Sequence, residues 1–144
     1  MNILLINPRM TGYSRSVTTP LGLLSIASCL ENAGHSVFLY DRTVEKKKLC
    51  EIISSFHADI IGISLISFKS IQDAIRLSEE CAGLNVPIVW GGPLASALPE
   101  ASLKIESVDA VSIGEGEYTS PITRSYVSIS SSSSRGISLL YSSE

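Results

Sequence analysis

The amino-acid sequence predicts the α/β class: a doubly wound parallel sheet of five strands, covered by helices on both faces. Two patterns and one rule predict it. Short runs rich in Ile, Leu and Val alternate with stretches in which apolar residues recur at helical spacing. Gly, Pro and hydroxyl residues collect just after the apolar runs, where strands end and loops begin. Strand-helix-strand alternation calls for parallel pairing, and right-handed crossovers then set helices on either side of the sheet.

Asn2 to Ile6 is an apolar run ended by Asn7-Pro8, as in a strand buried on both faces. A polar stretch from Arg9 to Thr18 follows. Thr19 is placed to cap a helix with Pro20 in its first turn; Leu23, Ile26, Ala27, Leu30 and Ala33 repeat at helical spacing until Gly34 ends it. Ser36 to Tyr40 reads as the second strand, with Asp41 at its carboxyl end. Leu49, Ile52, Ile53 and Phe56 define a second helix, and Lys46, Lys47 and Lys48 read as its solvated face. Asp59 to Leu65 is the third strand, followed by a helix with Ile71, Ala74, Ile75, Ser78 and Ala82 on one side. Val86 to Trp90 is the fourth strand, Pro99 to Ile105 a short helix, and Val108 to Ile113 the fifth strand. This succession corresponds to a flavodoxin-like sheet of order 2-1-3-4-5 in three α/β/α layers. From Ser120 serines crowd a segment with little apolar periodicity, so residues 1–119 read as one domain and 120–144 as a tail, disordered or aberrant. A fifth helix has only a weak signal there, which points to a truncated or mistranslated end.

At 144 residues the chain suits one domain with a real core. A net charge of −3 and few aromatic residues offer no track for phosphates, so nucleic acid is not expected as a partner. The opening apolar run lacks a cationic leader and is too short for a signal core or a membrane span, so a cytoplasmic location is expected. Cys29, Cys50 and Cys81 are odd in number and widely spaced in helical patterns; they read as small core hydrophobes, not as a disulfide or zinc set.

In open parallel sheets ligands bind outside the carboxyl ends of the strands, where the chain order reverses. That rule selects the loops after Asn7, Asp41, Ser64, Gly91 and Gly114. Pro8, Ser64 and Ser67 then line one side of a crevice and Gly91, Gly92 and Gly114 the other, an arrangement suited to a planar ligand. Gly91-Gly92-Pro93 stands out, because two residues without side chains let a ligand approach the main chain. A tight turn with no ligand explains the same residues.

Five pieces, in order, carry a family likeness: Ile3-Leu4-Leu5-Ile6-Asn7-Pro8; Pro20-Leu21-Gly22-Leu23-Leu24; Asp59-Ile60-Ile61-Gly62-Ile63-Ser64; Val89-Trp90-Gly91-Gly92-Pro93 with Ala97-Leu98-Pro99-Glu100; and Ile113-Gly114-Glu115-Gly116-Glu117. Over residues 1–119 the chain resembles the cobalamin-binding domain at the amino end of cobalamin-dependent radical S-adenosylmethionine enzymes. The resemblance implies a corrin over the loops, with Gly91-Gly92-Pro93 and Gly114-Glu115-Gly116-Glu117 near its nucleotide tail or ring edge. Together with the crevice it gives a cofactor-binding set of Pro8, Thr19, Pro20, Leu21, Gly22, Asp41, Ser64, Ser67, Gly91, Gly92, Pro93, Gly114, Glu115, Gly116 and Glu117, and no catalytic or metal-ligating residue. Thr19, Ser64 and Ser67 either bond corrin amides or cap helices, and Asp41 either touches the ligand or caps the next helix. Glu115 and Glu117 are either hydrogen-bond acceptors or a solvated turn. Leu94 stands where many relatives carry His, so a polar contact is lost there.

Cobalamin domains of mutases and methionine synthase place a His on cobalt from an Asp-x-His-x-x-Gly loop, which is absent here. His35 and His57 each precede a strand, at the wrong edge of the sheet, so cobalt without a protein imidazole is expected. The radical enzymes hold a 4Fe-4S cluster by Cys-x-x-x-Cys-x-x-Cys and use S-adenosylmethionine, and Cys29, Cys50 and Cys81 cannot supply that motif. A radical domain in cis or in trans is therefore the implied partner, and the chain alone is not a complete methyltransferase-type enzyme. A phosphoacceptor receiver would need acidic residues and a Lys where Asn7, Ser64 and Gly114 stand, and the loop from Asn7 to Thr19 has only Gly12 for a dinucleotide motif. An FMN module using Thr11, Gly12, Ser14 and Ser16, or an interaction module that has lost its cofactor, are the alternatives.

Overall fold

The computed structural model describes residues 1–12 and 19–114 and the backbone of 138–141. β1 (Asn2–Asn7) lies inside the sheet, buried on both faces and with its backbone groups paired along both edges. It pairs in parallel with β2 (Ser36–Asp41) on one edge and β3 (Ile60–Ser64) on the other. β4 (Ile88–Gly91) and β5 (Ala110–Ile113) follow, so the first five strands run 2-1-3-4-5 as the alternation predicts. A sixth strand, β6 (Ser138–Tyr141), pairs in parallel with β5. Of the segment expected as a tail, the backbone of these four residues is described, and it pairs with the edge of β5, whose backbone groups are open to an extended segment. The rest of the Ser-rich stretch, and the boundary placed at residue 119, lie outside the described residues.

α1 (Leu21–Asn32) begins one residue after Pro20, which takes the N-cap position, and Thr19 makes no side-chain cap. Thr19 contributes its carbonyl instead, accepting the Leu21 N–H at 2.9 Å. Gly34, at φ +86°, ends the helix: its N–H donates to Glu31 O at 2.9 Å and the His35 N–H to Leu30 O at 3.1 Å, the paired bonds of a Schellman turn. α2 (Leu49–Phe56) starts after the exposed lysines, which therefore precede the helix and do not lie on it. On α3 (Ile71–Cys81) the buried stripe is Ala74, Leu77, Ser78 and Cys81; Ile71 and Ile75 sit at its border, and Ala82 is exposed because the helix has ended. Two short helices, α4 (Pro93–Ala97) and α5 (Pro99–Leu103), fill the crossover from β4 to β5. α4 was not expected from sequence. Gly92 at its N-cap and Pro93 at its first position start it.

Side-chain alternation along the strands makes two separate cores. Leu4, Ile6, Ile61, Ile63, Ile88, Trp90 and Val111 face α2, α3 and α4 in one large cluster. Ile3, Leu5, Ile60, Val89 and Ala110 face α1 in a smaller one, with Leu23 and Leu30. The amino edge of the sheet is closed by side chains. The Asp59 carboxylate accepts the Asn2 N–H at 2.7 Å, Asn2 Nδ2 donates to Phe56 O at 2.8 Å, and the Asp109 carboxylate accepts the Ile88 N–H at 2.8 Å.

Candidate functional site

The carboxyl edge is open on the α1 face, and the residues there shrink row by row. Leu5, Gly62, Val89 and Ala110 lie side by side across β1, β3, β4 and β5. One pleat further, Ser64 stands beside Gly91, and a Cβ on Gly91 would come 3.7 Å from that of Ser112. With nothing larger than Ser across β3, β4 and β5, a cavity of about 600 Å³ opens between this floor and α1. Its deep end is Ile3, Leu30 and Ile60, its walls include Leu5, Leu23, Ile26 and Val89, and its mouth carries Asn7, Thr19, Ser64, Ser96 and Ser112. From Ile3 to Asn7 it follows the strands for ~13 Å at the usual rise per residue. Such a cleft is apolar below and polar at its lip, the build of a cofactor pocket.

Of the residues singled out from sequence, Thr19, Pro20, Leu21, Gly22, Ser64, Gly91, Gly92, Pro93 and Gly114 line this cavity. Pro8, Asp41 and Ser67 do not. Asp41 is buried, and its Oδ1 accepts the Thr43 N–H at 2.9 Å and the Thr43 hydroxyl at 2.6 Å, so that oxygen closes its own turn. Ser67 caps the short turn at Phe68–Ser70, its carbonyl accepting the Ser70 N–H and hydroxyl, while its own hydroxyl faces the Met10 sulfur at 3.7 Å. Glu115, Gly116 and Glu117 lie outside the described residues. Met10, Gly62, Ser96 and Ser112, outside the set the sequence points to, also line the cavity. Period-two alternation from Ser64 and Gly114 would have reached Gly62 and Ser112; nothing local marks Met10 or Ser96.

The two adjacent glycines have different reasons. Gly92 adopts φ +93°, and a Cβ there would lie 2.8 Å from the Leu65 carbonyl oxygen. That oxygen accepts the Leu94 N–H at 3.0 Å, and the Leu65 N–H donates to Gly91 O at 2.7 Å, so the exits of β3 and β4 are locked together. Gly92 is the tight turn. Gly91 keeps ordinary backbone angles, and its missing side chain leaves space in the cavity.

The residues directly after β1 are also tied down, at Arg9 and Thr11. Asp73, on α3 and 9 % exposed, accepts the Arg9 N–H at 2.7 Å through Oδ2 and Arg42 Nε at 3.3 Å through Oδ1. Partial burial disfavours the Arg42 cation, but Asp73, helped by Tyr40 and Glu80, outweighs it and raises the guanidinium above its ordinary value. Arg9 Nη2 donates to Arg42 O at 3.1 Å, and both the N–H and the hydroxyl of Thr11 donate to Lys69 O, at 3.0 and 3.1 Å.

Both histidines sit at the amino edge, away from the cavity mouth. His35 follows α1, and His57 ends α2 in the left-handed region. Only Cys81 of the three cysteines is core: Cys29 is half-buried and Cys50 exposed, which corrects the reading of all three as core hydrophobes. Burial, with Glu80 adding to it, pushes the Cys81 thiol up to about 12. Among the described residues no group of three or more His, Cys, Asp or Glu could hold a metal ion, and no helix is long and apolar enough to cross a membrane. For the flavin alternative, Thr11 is engaged with Lys69, whereas Ser14 and Ser16 lie outside the described residues.

Comparison with known proteins gives relatives in both sequence and fold. The chain is 30 % identical to cytidylyl-2-hydroxyethylphosphonate methyltransferase of Streptomyces wedmorensis over an alignment of 143 residues, 81 % of this chain and 27 % of that protein. Its fold is similar to that of the cobalamin-dependent S-adenosylmethionine radical enzyme OxsB, solved with aqua-cobalamin and S-adenosylmethionine, at TM-score 0.76 and 19 % identity, covering 90 % of this chain and 19 % of OxsB. The radical S-adenosylmethionine methyltransferase TsrM of Kitasatospora setae, solved with tryptophan and an S-adenosylmethionine analogue, gives 0.74 and 20 %, covering 90 % and 26 %. The chain thus spans about a quarter or less of the length of each relative. A family model described as the B12 binding domain matches residues 10–123, most of the chain, and the chain belongs to the B12-binding domain family.

Proposed function

We propose that this chain seats a corrinoid over the carboxyl rim, lets the nucleotide tail descend into the α1-face cleft, and presents the cofactor to a radical S-adenosylmethionine domain outside this sequence. The observation that carries the reading is the hollow itself. Across β3 and β4 the sequence spends Gly62, Ser64 and Gly91 where the opposite face holds Ile61, Ile63 and Trp90, and the space left falls within the roughly 300–1,000 Å³ usual for cofactor pockets. The fit is chemical as well as volumetric. Ile3, Leu30 and Ile60 accept an apolar base at the deep end, while hydroxyls of Thr19, Ser64, Ser96 and Ser112 meet the polar parts at the mouth.

When bound, cobalamin supplies a cobalt centre able to carry and pass on a methyl group. The residues of this chain bind, orient and shield. α1 walls the cleft with Leu23 and Ile26, giving its depth an apolar surface. Ser96 is positioned by accepting the Gly114 N–H at 3.1 Å, which joins the ends of β4 and β5 at the lip. No imidazole of this chain ligates cobalt, a reading supported by the place of His35 and His57 at the far edge. Sequence similarity to a methyltransferase over the aligned part supports methyl transfer by the whole protein; its substrate is set outside this chain.

Reconstitution with hydroxocobalamin followed by gel filtration tests the proposal. Retained corrinoid absorbance, with no nitrogen splitting from histidine in the paramagnetic resonance spectrum of the reduced cobalt form, is the expected result. Folded protein that stays colourless, or that takes up the flavin FMN instead, overturns it.

A further inference from the structure

We propose that Asp73, which does not line the cleft, is a positioning residue for the corrinoid site, holding the loop after β1 so that Met10 faces the cavity. The inference rests on the corrinoid reading above. An acidic residue in the first turn of a helix ordinarily serves its own helix end. Asp73 instead spends both oxygens on distant loops: Oδ2 on the Arg9 N–H at 2.7 Å, and Oδ1 on Arg42 Nε at 3.3 Å. The Arg9 guanidinium then closes a ring of contacts by donating to the Arg42 carbonyl at 3.1 Å. One carboxylate therefore fastens the exits of β1 and β2 to α3, the helix that follows β3.

Met10 is the next residue. Its neighbours on both sides are held, Arg9 by Asp73 and Thr11 by two bonds to the Lys69 carbonyl, and its sulfur receives the Ser67 hydroxyl. Met10 is a cavity-lining residue on that loop, so its position is set by groups outside the cavity. A carboxylate on a backbone N–H is a charge-assisted bond, stronger and more directional than the neutral bonds that usually hold loops. Its placement nine-tenths buried keeps water from substituting for it.

The test uses the full 144-residue chain loaded with hydroxocobalamin. Asp73→Asn keeps the shape of the side chain and removes its charge, and corrinoid release into excess competitor is expected to quicken about tenfold, the size of one lost charge-assisted bond. Tryptic cleavage after Arg9 in corrinoid-free protein should quicken in step. Thr11→Val, which removes one of the two bonds to Lys69 and keeps the other, should move both rates the same way by about two- to threefold, and it carries the test if Asp73→Asn does not fold. A merely structural role would lower the thermal midpoint of Asp73→Asn and leave release from the folded fraction and cleavage after Arg9 at their starting rates, and that result overturns the inference. An unmodified chain that retains no corrinoid overturns the reading beneath it as well; a coloured chain whose variants release at the original rate overturns the positioning role alone.

Discussion

The two faces of the sheet are made from the same strands, and they differ in what their alternate residues leave behind. On the α2–α3 face Trp90 is buried to 1 % exposure, its indole N–H donating to Ser78 Oγ at 2.8 Å while that hydroxyl donates to Ala74 O at 2.9 Å. On the α1 face its chain neighbour Gly91 leaves a gap. The filled face supplies stability, and the hollow face supplies room; a strand divides the two tasks because its side chains alternate. The cleft of this fold is built by omission, at Gly62, Ser64 and Gly91, over a sheet whose other face remains packed.

Four experiments probe that contrast. Trp90→Ala should cost about 3–5 kcal/mol of stability in denaturant unfolding, since it empties a fully packed site and removes the indole donor to Ser78 Oγ, which keeps its own bond to Ala74 O. Gly91→Leu should fold and lose corrinoid at least ~100-fold in affinity, because its Cβ has space and its side chain enters the cleft; hydroxocobalamin titration reads it out. Unchanged affinity would show that the hollow is not the seat. Gly92→Ala should lower stability by about 1–3 kcal/mol from a positive φ and the contact with the Leu65 oxygen, with any loss of corrinoid following from the disturbed lip. The smallest effect is on thiol accessibility. Cys50 should alkylate first, Cys29 on α1 next, and Cys81 only on global unfolding, as mass spectrometry of the labelled sites would show.

Cys81 also gives a pH dependence whose sign is definite. An unfolded thiol loses its proton near ~8.5, while the folded one holds it up to about 12, so between these values the unfolded state binds fewer protons. Its contribution to stability is full below ~8.5 and is lost as pH rises through that window. Cys81→Ala should flatten this part of the unfolding profile, and denaturant midpoints at several pH values would check it.

Much of the site was legible in local pattern, and the limits of that legibility are specific. Ser64, Gly91 and Gly114 follow from the rule that ligands meet the carboxyl ends of parallel strands, and all three line the cavity. The Gly-Gly step was readable as either a tight turn or a ligand approach, and each glycine answers to one of these, a division set by the Leu65 carbonyl twenty-seven residues before Gly92. Asp41 was readable as a ligand contact or as a cap for the next helix; the capping reading is corrected, because α2 begins at Leu49 after Lys48 and Asp41 Oδ1 closes a turn with Thr43 instead. Met10 carried no signal, because its position depends on Asp73 and Lys69, which are remote in sequence.

The succession of strands and helices and the 2-1-3-4-5 order of the first five strands are legible in the residue pattern, since hydrophobic period and crossover handedness act within one or two elements. Which face stays open, that α4 begins at Pro93, and that residues of the Ser-rich segment extend the sheet as β6 were set by contacts between elements remote in sequence. The physical reason is that a cavity is a property of rows, not of runs. Leu5, Gly62, Val89 and Ala110 become one floor only when four strands pair in register, and no window of the chain contains them together.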